Sequence, residues 1–144
     1  MADADSKVPV LLDLPDVLYT SRLTIRCPRP GDGPAVFAAM KESLADLRAF
    51  PASMGWALTE PSVEVSEQYC REAYSNFSTR RDFPLLLVLR DSNVVVGSSG
   101  LHRIDWRVPK CEVGFWGRSS HQRKGYITEG VRDSGHGLRS LACT

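Results

Sequence analysis

Residues 121–130 read His-Gln-Arg-Lys-Gly-Tyr-Ile-Thr-Glu-Gly, two cations and a glycine set between an apolar strand candidate and a stretch that opens like a helix. A turn that carries the chain from a strand end into a helix leaves the first helical N–H groups without intrahelical partners. Those donors, added to the helix dipole, favour a phosphate. Gly125 lets the main chain approach a ligand closely. Arg123 and Lys124 add charge-assisted contacts at the rim, and Thr128 offers a hydroxyl in the first turn. The grouping suits a pyrophosphate, and an exposed basic loop before a helix is the plain alternative. A P-loop is set aside, because Lys124-Gly125-Tyr126 leaves no hydroxyl where magnesium would be held. A dinucleotide fingerprint fails as well, since neither the glycine spacing nor the antiparallel hairpin that precedes the stretch fits.

Working outward, the 144 residues carry 42% hydrophobic and 24% charged side chains, the profile of one globular domain with a single core. Eighteen basic residues against seventeen acidic ones give a formal charge of +1, so no global field is available to hold a nucleic-acid backbone. Any anion has to be bound locally. Cys27, Cys70, Cys111 and Cys143 are irregularly spaced, with no Cys-x-x-Cys pair and no His in ligand spacing, which argues against a metal site. The acidic start lacks a basic region and apolar run, and no stretch is long and apolar enough to span a bilayer; a reduced, cytoplasmic protein away from membranes is expected. The cysteines then read as core or bystander residues, with Cys143 open to oxidation if exposed.

Along the chain, residues 1–18 read as an irregular lead-in. From Tyr19 to Arg26, Leu23 and Ile25 alternate with Arg22, Thr24 and Arg26, which predicts one half-buried strand ending before Pro28. Asp32 is placed to cap a helix with Pro34 in its first turn and Val36, Phe37, Met40, Leu44 and Leu47 on one face. Ser62 is placed to cap a second helix whose face is Val65, Tyr69, Ala73 and Phe77. Phe83 to Leu89 and Val94 to Leu101, joined by Asp91-Ser-Asn93, predict a hairpin at the centre of the sheet. Cys111-Glu-Val-Gly-Phe-Trp116 supplies a further strand, and the opening stretch follows it.

Within this order of elements, Gln122-Arg-Lys-Gly125-Tyr-Ile127 resembles the Gln/Arg-x-x-Gly-x-Gly/Ala signature of the Gcn5-related N-acetyltransferases (GNAT). In that family the loop and helix N-terminus bind the pyrophosphate of acetyl-coenzyme A. Tyr19-Thr-Ser-Arg-Leu-Thr-Ile-Arg26 is similar to the opening strand of the RimJ/RimL-type branch, which acetylates protein N-termini. Glu42-Ser-Leu-Ala-Asp-Leu-Arg48, Val96-Gly-Ser-Ser-Gly-Leu-His102 with Ile104-Asp-Trp106, and Glu112-Val-Gly-Phe-Trp116 are similar to its first helix, third strand and fourth strand. The resemblance implies an α+β fold, the acyl-CoA N-acyltransferase fold, with a mixed, mostly antiparallel sheet flanked by helices in the order β-α-α-β-β-β-α.

Two departures stand out. Ile127 occupies a position where Gly or Ala is usual, which is acceptable if its side chain turns toward the sheet. In the family the chain continues through a fifth strand that splays to admit pantetheine, another helix and two more strands. Here Gly130, Gly135 and Gly137 follow, each about 1 kcal/mol poorer than Ala inside a helix. The expectation is a partial N-acetyltransferase domain over 19–133, an atypical tail over 134–144, and a missing C-terminal β-α-β-β part that leaves one wall of the coenzyme slot absent.

The resemblance further implies acetyl-CoA as cosubstrate and no metal. Main-chain groups of Phe115, Trp116 and Gly117 would pair with pantetheine, and Gln122, Arg123, Lys124, Gly125, Tyr126, Ile127 and Thr128 would hold the pyrophosphate. Acetyl transfer requires a neutral amine, so a base must take its proton. Glu112 is the candidate, a solvated or ion-paired strand residue being the alternative. His102 and Asp105 are placed to face the acceptor or to make an ordinary polar loop, and Trp106 to pack over the site or shield an edge. No residue is assigned as general acid. Two readings result: an N-acetyltransferase acting on a primary amine, the α-amine of a protein N-terminus included, or a truncated, catalytically silent module that binds a ligand or pairs with a second copy of itself.

Overall fold

The computed structural model describes residues 17–48, 60–105, 107 and 110–132, with the main chain only at 47–48, 103–104 and 110–113. The elements are β1 (Val17–Tyr19), β2 (Leu23–Arg26), α1 (Gly33–Arg48), α2 (Val63–Ser78), β3 (Phe83–Leu89), β4 (Val95–Asp105), β5 (Lys110–Gly117) and a 3-10 turn at Ser119–His121. A helix, α3, occupies residues 126–132. The five strands form one sheet in the order β1-β2-β3-β4-β5, and every pairing is antiparallel.

The expected single strand from Tyr19 to Arg26 is a hairpin instead. The Thr20 N–H donates to Leu23 O at 2.9 Å, and the Thr20 hydroxyl accepts from the Leu23 N–H at 2.9 Å. These bonds fold Val17–Tyr19 back on β2, so Val17 and Leu18 leave the supposed lead-in and pair with Arg26 and Ile25. β4 also runs further than expected, through His102 to Asp105.

β3 lies in the middle of the sheet and is buried on both faces, as its unbroken apolar run requires. On one face Leu86, Val88 and Val95 pack with Val36 and Ala39 of α1 and Cys70 of α2. On the other, Leu23, Ile25, Leu85, Leu87 and Leu101 form the larger cluster, against which Tyr126 and Ile127 of α3 pack. The sheet thus separates α1 from α3, while Phe77 near the end of α2 reaches into the larger cluster. Cys27 and Cys70 are buried, and burial pushes the Cys70 thiol up to about 12, in keeping with a packing role. The side chain of Cys111 and all of Cys143 lie outside the described residues.

Both helix starts are capped, one of them by an unexpected group. Ser62 caps α2 as its position predicts, its hydroxyl accepting from the Val65 N–H at 3.0 Å. The Asp32 carboxylate is instead engaged by the Arg26 guanidinium (2.6 and 2.9 Å) and the Arg29 N–H (2.8 Å). Burial works against its ionisation, but these donors together hold it below the usual carboxylate range. Glu67 of α2 takes over at the α1 terminus, accepting from the N–H groups of Gly31 and Gly33 at 2.9 Å each. The predicted face of α2 is rotated: Ser66, Cys70, Ala73 and Phe77 are buried, while Val65 and Tyr69 stay 45% and 41% exposed. The close approach of Glu67 to α1 sets that rotation. A β-carbon on Gly33 would come within 2.8 Å of the Glu67 backbone, so α1 seats directly on α2 there.

Candidate functional site

The stretch that leaves β5 is held from both faces of the sheet. On the α1 side, the Arg118 N–H donates to Val96 O at 2.7 Å and its guanidinium Nε to Glu42 at 2.7 Å. The Ser120 N–H reaches the other Glu42 oxygen at 2.6 Å, and the Ser119 N–H reaches the Ser43 hydroxyl at 3.0 Å. The Ser119 hydroxyl donates to Asp46. Ser120 and Arg118 hold the Glu42 carboxyl down at about 2, against the opposing effect of burial. One turn of α1 therefore fixes the exit of β5.

Residues 122–125 follow, and their main chain is unusual. Arg123 has φ +65° and Gly125 φ +78°, with Lys124 between them. Left-handed residues alternating with right-handed ones are the backbone pattern from which anion-binding nests are built. For glycine the positive φ is free, whereas for Arg123 it costs roughly 1–2 kcal/mol. Gln122, Arg123, Lys124, Gly125 and Thr128 are exposed. A β-carbon on Gly125 would meet only the Arg22 guanidinium, at 3.3 Å.

The second anchor comes from the hairpin at the start of the chain. Glu129, only 8% exposed, accepts from the Thr20 hydroxyl, the Arg22 N–H (3.2 Å) and Arg22 Nε (2.8 Å). Burial opposes its ionisation, and the Thr20 and Arg22 donors overcome that and lower its pKa. Arg22 Nη1 also donates to Lys124 O at 2.7 Å, and its guanidinium lies 4.4 Å from the Tyr126 ring centre. The Glu129 N–H closes the first turn of α3 on Gly125 O at 3.0 Å.

Ile127 turns toward the sheet. It sits over Gly97 and Gly117, which are cross-strand partners on β4 and β5; β-carbons there would come within 2.7 and 3.0 Å of it. Gly130 has the same purpose one turn on, since a β-carbon would fall 2.6 Å from a methyl of Leu87 in the core. Glycine at 130 thus lets α3 lie close against β3, which outweighs its poor helix propensity. Gly135 and Gly137 lie outside the described residues.

The other sequence-selected residues lie along β4 and β5. The register pairs Ser98 with Trp116, Gly100 with Gly114, and His102 with Glu112. The His102 imidazole lies over the glycine pair, 3.1 Å from a β-carbon placed at Gly100 and 3.0 Å from one at Gly114. His102 and Glu112 are thus brought together in the register, although the Glu112 side chain, like all of Trp106, lies outside the described residues. Phe115 is 56% exposed, whereas Trp116 packs toward α1. Asp105 is engaged by the turn it begins, accepting from the Arg107 N–H at 2.9 Å.

Thr20, Arg22, Glu42 and Glu129 escaped the sequence reading. The available signal was an acid in the first turn of α3, where the helix dipole favours negative charge but a bound anion does not. Among the described residues no group of three His, Cys, Asp or Glu is placed to hold a metal ion. No helix among them is long and apolar enough to cross a membrane.

The acetyltransferase (GNAT) domain family model matches residues 22–136. No curated protein matches the chain in sequence. Among solved structures, the ribosomal-protein-S5-alanine acetyltransferase of Vibrio fischeri superposes with a TM-score of 0.73 at 14% identity, over 86% of this chain and 67% of that one. RimL, a ribosomal L7/L12 α-N-protein acetyltransferase in complex with coenzyme A, gives 0.75 at 15% identity, over 86% and 67%. The microcin C7 self-immunity acetyltransferase MccE, in complex with acetyl-CoA and AMP, gives 0.70 at 13% identity, over 84% and 62%. The chain thus spans about two thirds of the length of these structures or slightly less, and shares their fold.

Proposed function

The chain belongs to the acetyltransferase (GNAT) domain family, and from that premise we propose that it transfers an acetyl group from acetyl-CoA to a primary amine. The observation that carries the proposal is the main chain at 122–128: two positive-φ residues two positions apart, leading into a helix start. N–H groups at such a backbone and helix start are suited to receive phosphate oxygens. Arg123 and Lys124 add charge at its rim, and Gly125 leaves the approach open. Gln122, Tyr126, Ile127 and Thr128 complete the pyrophosphate segment. β5 is the outermost strand of the described sheet, and main-chain groups of Phe115, Trp116 and Gly117 along it would pair with pantetheine.

Acetyl-CoA, when bound, supplies an acyl thioester open to attack by a neutral amine. An α-amino group has a pKa of about 8 and a lysine about 10.4, so the chain has to remove a proton at neutral pH. Glu112 takes it as the amine nitrogen bonds to the acyl carbon, and passes it on to solvent or to the departing thiolate. His102, paired with Glu112 across the strands, and Asp105 at the end of β4 face the acceptor. The α-amine of a protein N-terminus is the acceptor class favoured by the name of one structural neighbour, an α-N-protein acetyltransferase, and a second neighbour is likewise a ribosomal-protein acetyltransferase.

The test is thiol release from acetyl-CoA with peptides whose α-amine is free or blocked, with mass analysis of the peptide. Acetylation confined to the free α-amine is expected. Thiol release that ignores the amine, or no coenzyme A binding at millimolar concentration by calorimetry, would refute the proposal.

A further inference from the structure

Arg22, with Thr20 beside it, joins the two ends of the described chain. Its Nη1 holds Lys124 O, its Nε and main-chain N–H hold Glu129, and its guanidinium lies on Tyr126. A trans peptide is planar, and its C=O and N–H point in opposite directions. Drawing Lys124 O toward Arg22 therefore sends the next N–H, that of Gly125, away from Arg22, which on the coenzyme reading is the side of the anion. With that bond gone, the Lys124–Gly125 peptide is free to rotate, and rotation would put a carbonyl oxygen where the anion needs a donor.

The second contact solves a charge problem. Glu129 puts a nearly buried carboxylate in the first turn of α3, beside the place where a pyrophosphate would sit. Left unpaired, it would repel that anion in a poorly screened setting. The Arg22–Glu129 pair, at 2.8 Å with the Thr20 hydroxyl as a further donor, neutralises it.

We propose that Arg22 is a positioning residue for the coenzyme loop, orienting the Lys124–Gly125 peptide and cancelling the charge of Glu129 so that the loop presents donors only. This rests on the coenzyme reading above for its ligand, but not for its effect on the loop. The fork geometry matters as well as the charge, because one guanidinium reaches both Lys124 O and Glu129 and a lysine ammonium cannot span them.

The experiment compares wild type with Arg22→Gln, Arg22→Lys and Arg26→Gln. The last breaks the Arg26–Asp32 pair at the start of α1 and serves as a control for lost stability. Two readouts are taken: hydrogen exchange of the Glu129 amide, which is bonded to Gly125 O, and coenzyme A affinity by calorimetry. Arg22→Gln is expected to speed that exchange and weaken coenzyme A binding by about 10- to 100-fold, the value of a charge-assisted contact. Arg22→Lys should recover the thermal midpoint more fully than the affinity. Arg26→Gln should lower the midpoint and leave both loop readouts at wild-type values. Unchanged exchange in both Arg22 variants, or the same loop effects from Arg26→Gln, would overturn the proposal. If wild type itself binds no coenzyme A, the coenzyme reading fails, and the exchange comparison alone decides whether Arg22 orders the loop.

Discussion

Replacing Gly125 by alanine isolates the contribution of the proposed main-chain cradle. The residue sits at φ +78°, where an L-amino acid costs roughly 1–2 kcal/mol. The added β-carbon meets only Arg22 Nη2, at 3.3 Å, the end of a long side chain, so the steric cost is small beside the conformational one. In the free protein the exposed loop relaxes toward negative φ with little effect on the core. In the complex the positive φ has to be restored, so the cost falls on affinity: coenzyme A should bind about 5- to 30-fold more weakly, with the thermal midpoint nearly unchanged. Gly125→Val adds β-branching and should lose more. Arg123 provides the opposite comparison, being already an L-residue at φ +65°. Arg123→Ala keeps the strain and removes an exposed charge worth roughly 1 kcal/mol or less, whereas Arg123→Gly removes the charge and relieves the strain. Calorimetric titration of the four variants at one ionic strength should rank Arg123→Gly tighter than Arg123→Ala, and Gly125→Val weakest. A greater loss from Arg123→Ala than from Gly125→Val would show that side-chain charge, and not the main chain, holds the ligand.

Glu112→Gln should lower turnover by roughly 10²- to 10⁴-fold with coenzyme A affinity retained, since it removes proton transfer and keeps the shape; unchanged steady-state turnover would return Glu112 to a structural role. The Glu42 tether is pH-dependent with a defined sign: its folded carboxyl lies at about 2, below the ordinary 4.5, so its stabilisation is complete above pH 4.5 and is lost as pH falls toward 2. Protection of the Ser119 and Ser120 amides, taken relative to intrinsic exchange at each pH, should therefore fall over that interval in wild type, and should be low already at pH 7 in Glu42→Gln. Gly130→Ala should lower the thermal midpoint despite a helix-propensity gain of about 1 kcal/mol, because its β-carbon would overlap a Leu87 methyl at 2.6 Å and overpacking costs about 1–3 kcal/mol. A raised midpoint would mean that α3 moves off β3 without penalty.

Short-range chemistry made much of this molecule legible. The apolar run at Phe83–Leu89 is a central strand wherever such a run is shielded on both faces, and Ser62 caps α2 through a bond three residues long. Likewise, a glycine between a strand and a helix at 125 pointed to the loop that the main chain builds there. The errors came where a distant group competed for a local one. Asp32 has the position of a cap, but Arg26 takes its carboxylate and Glu67, 34 residues away from Gly33, supplies the bond. The periodicity of α2 allowed two adjacent faces, and contact with α1 selected the one centred on Cys70. Nothing near Glu129 in sequence says that its charge is cancelled, because its partners Thr20 and Arg22 lie 109 and 107 residues earlier. The residues of the loop proposed to hold the anion could be found from their own order, since backbone conformation answers to near neighbours. The groups that hold that loop in place belong to the turn between β1 and β2 and to α1, and only the closing of the sheet brings them to it.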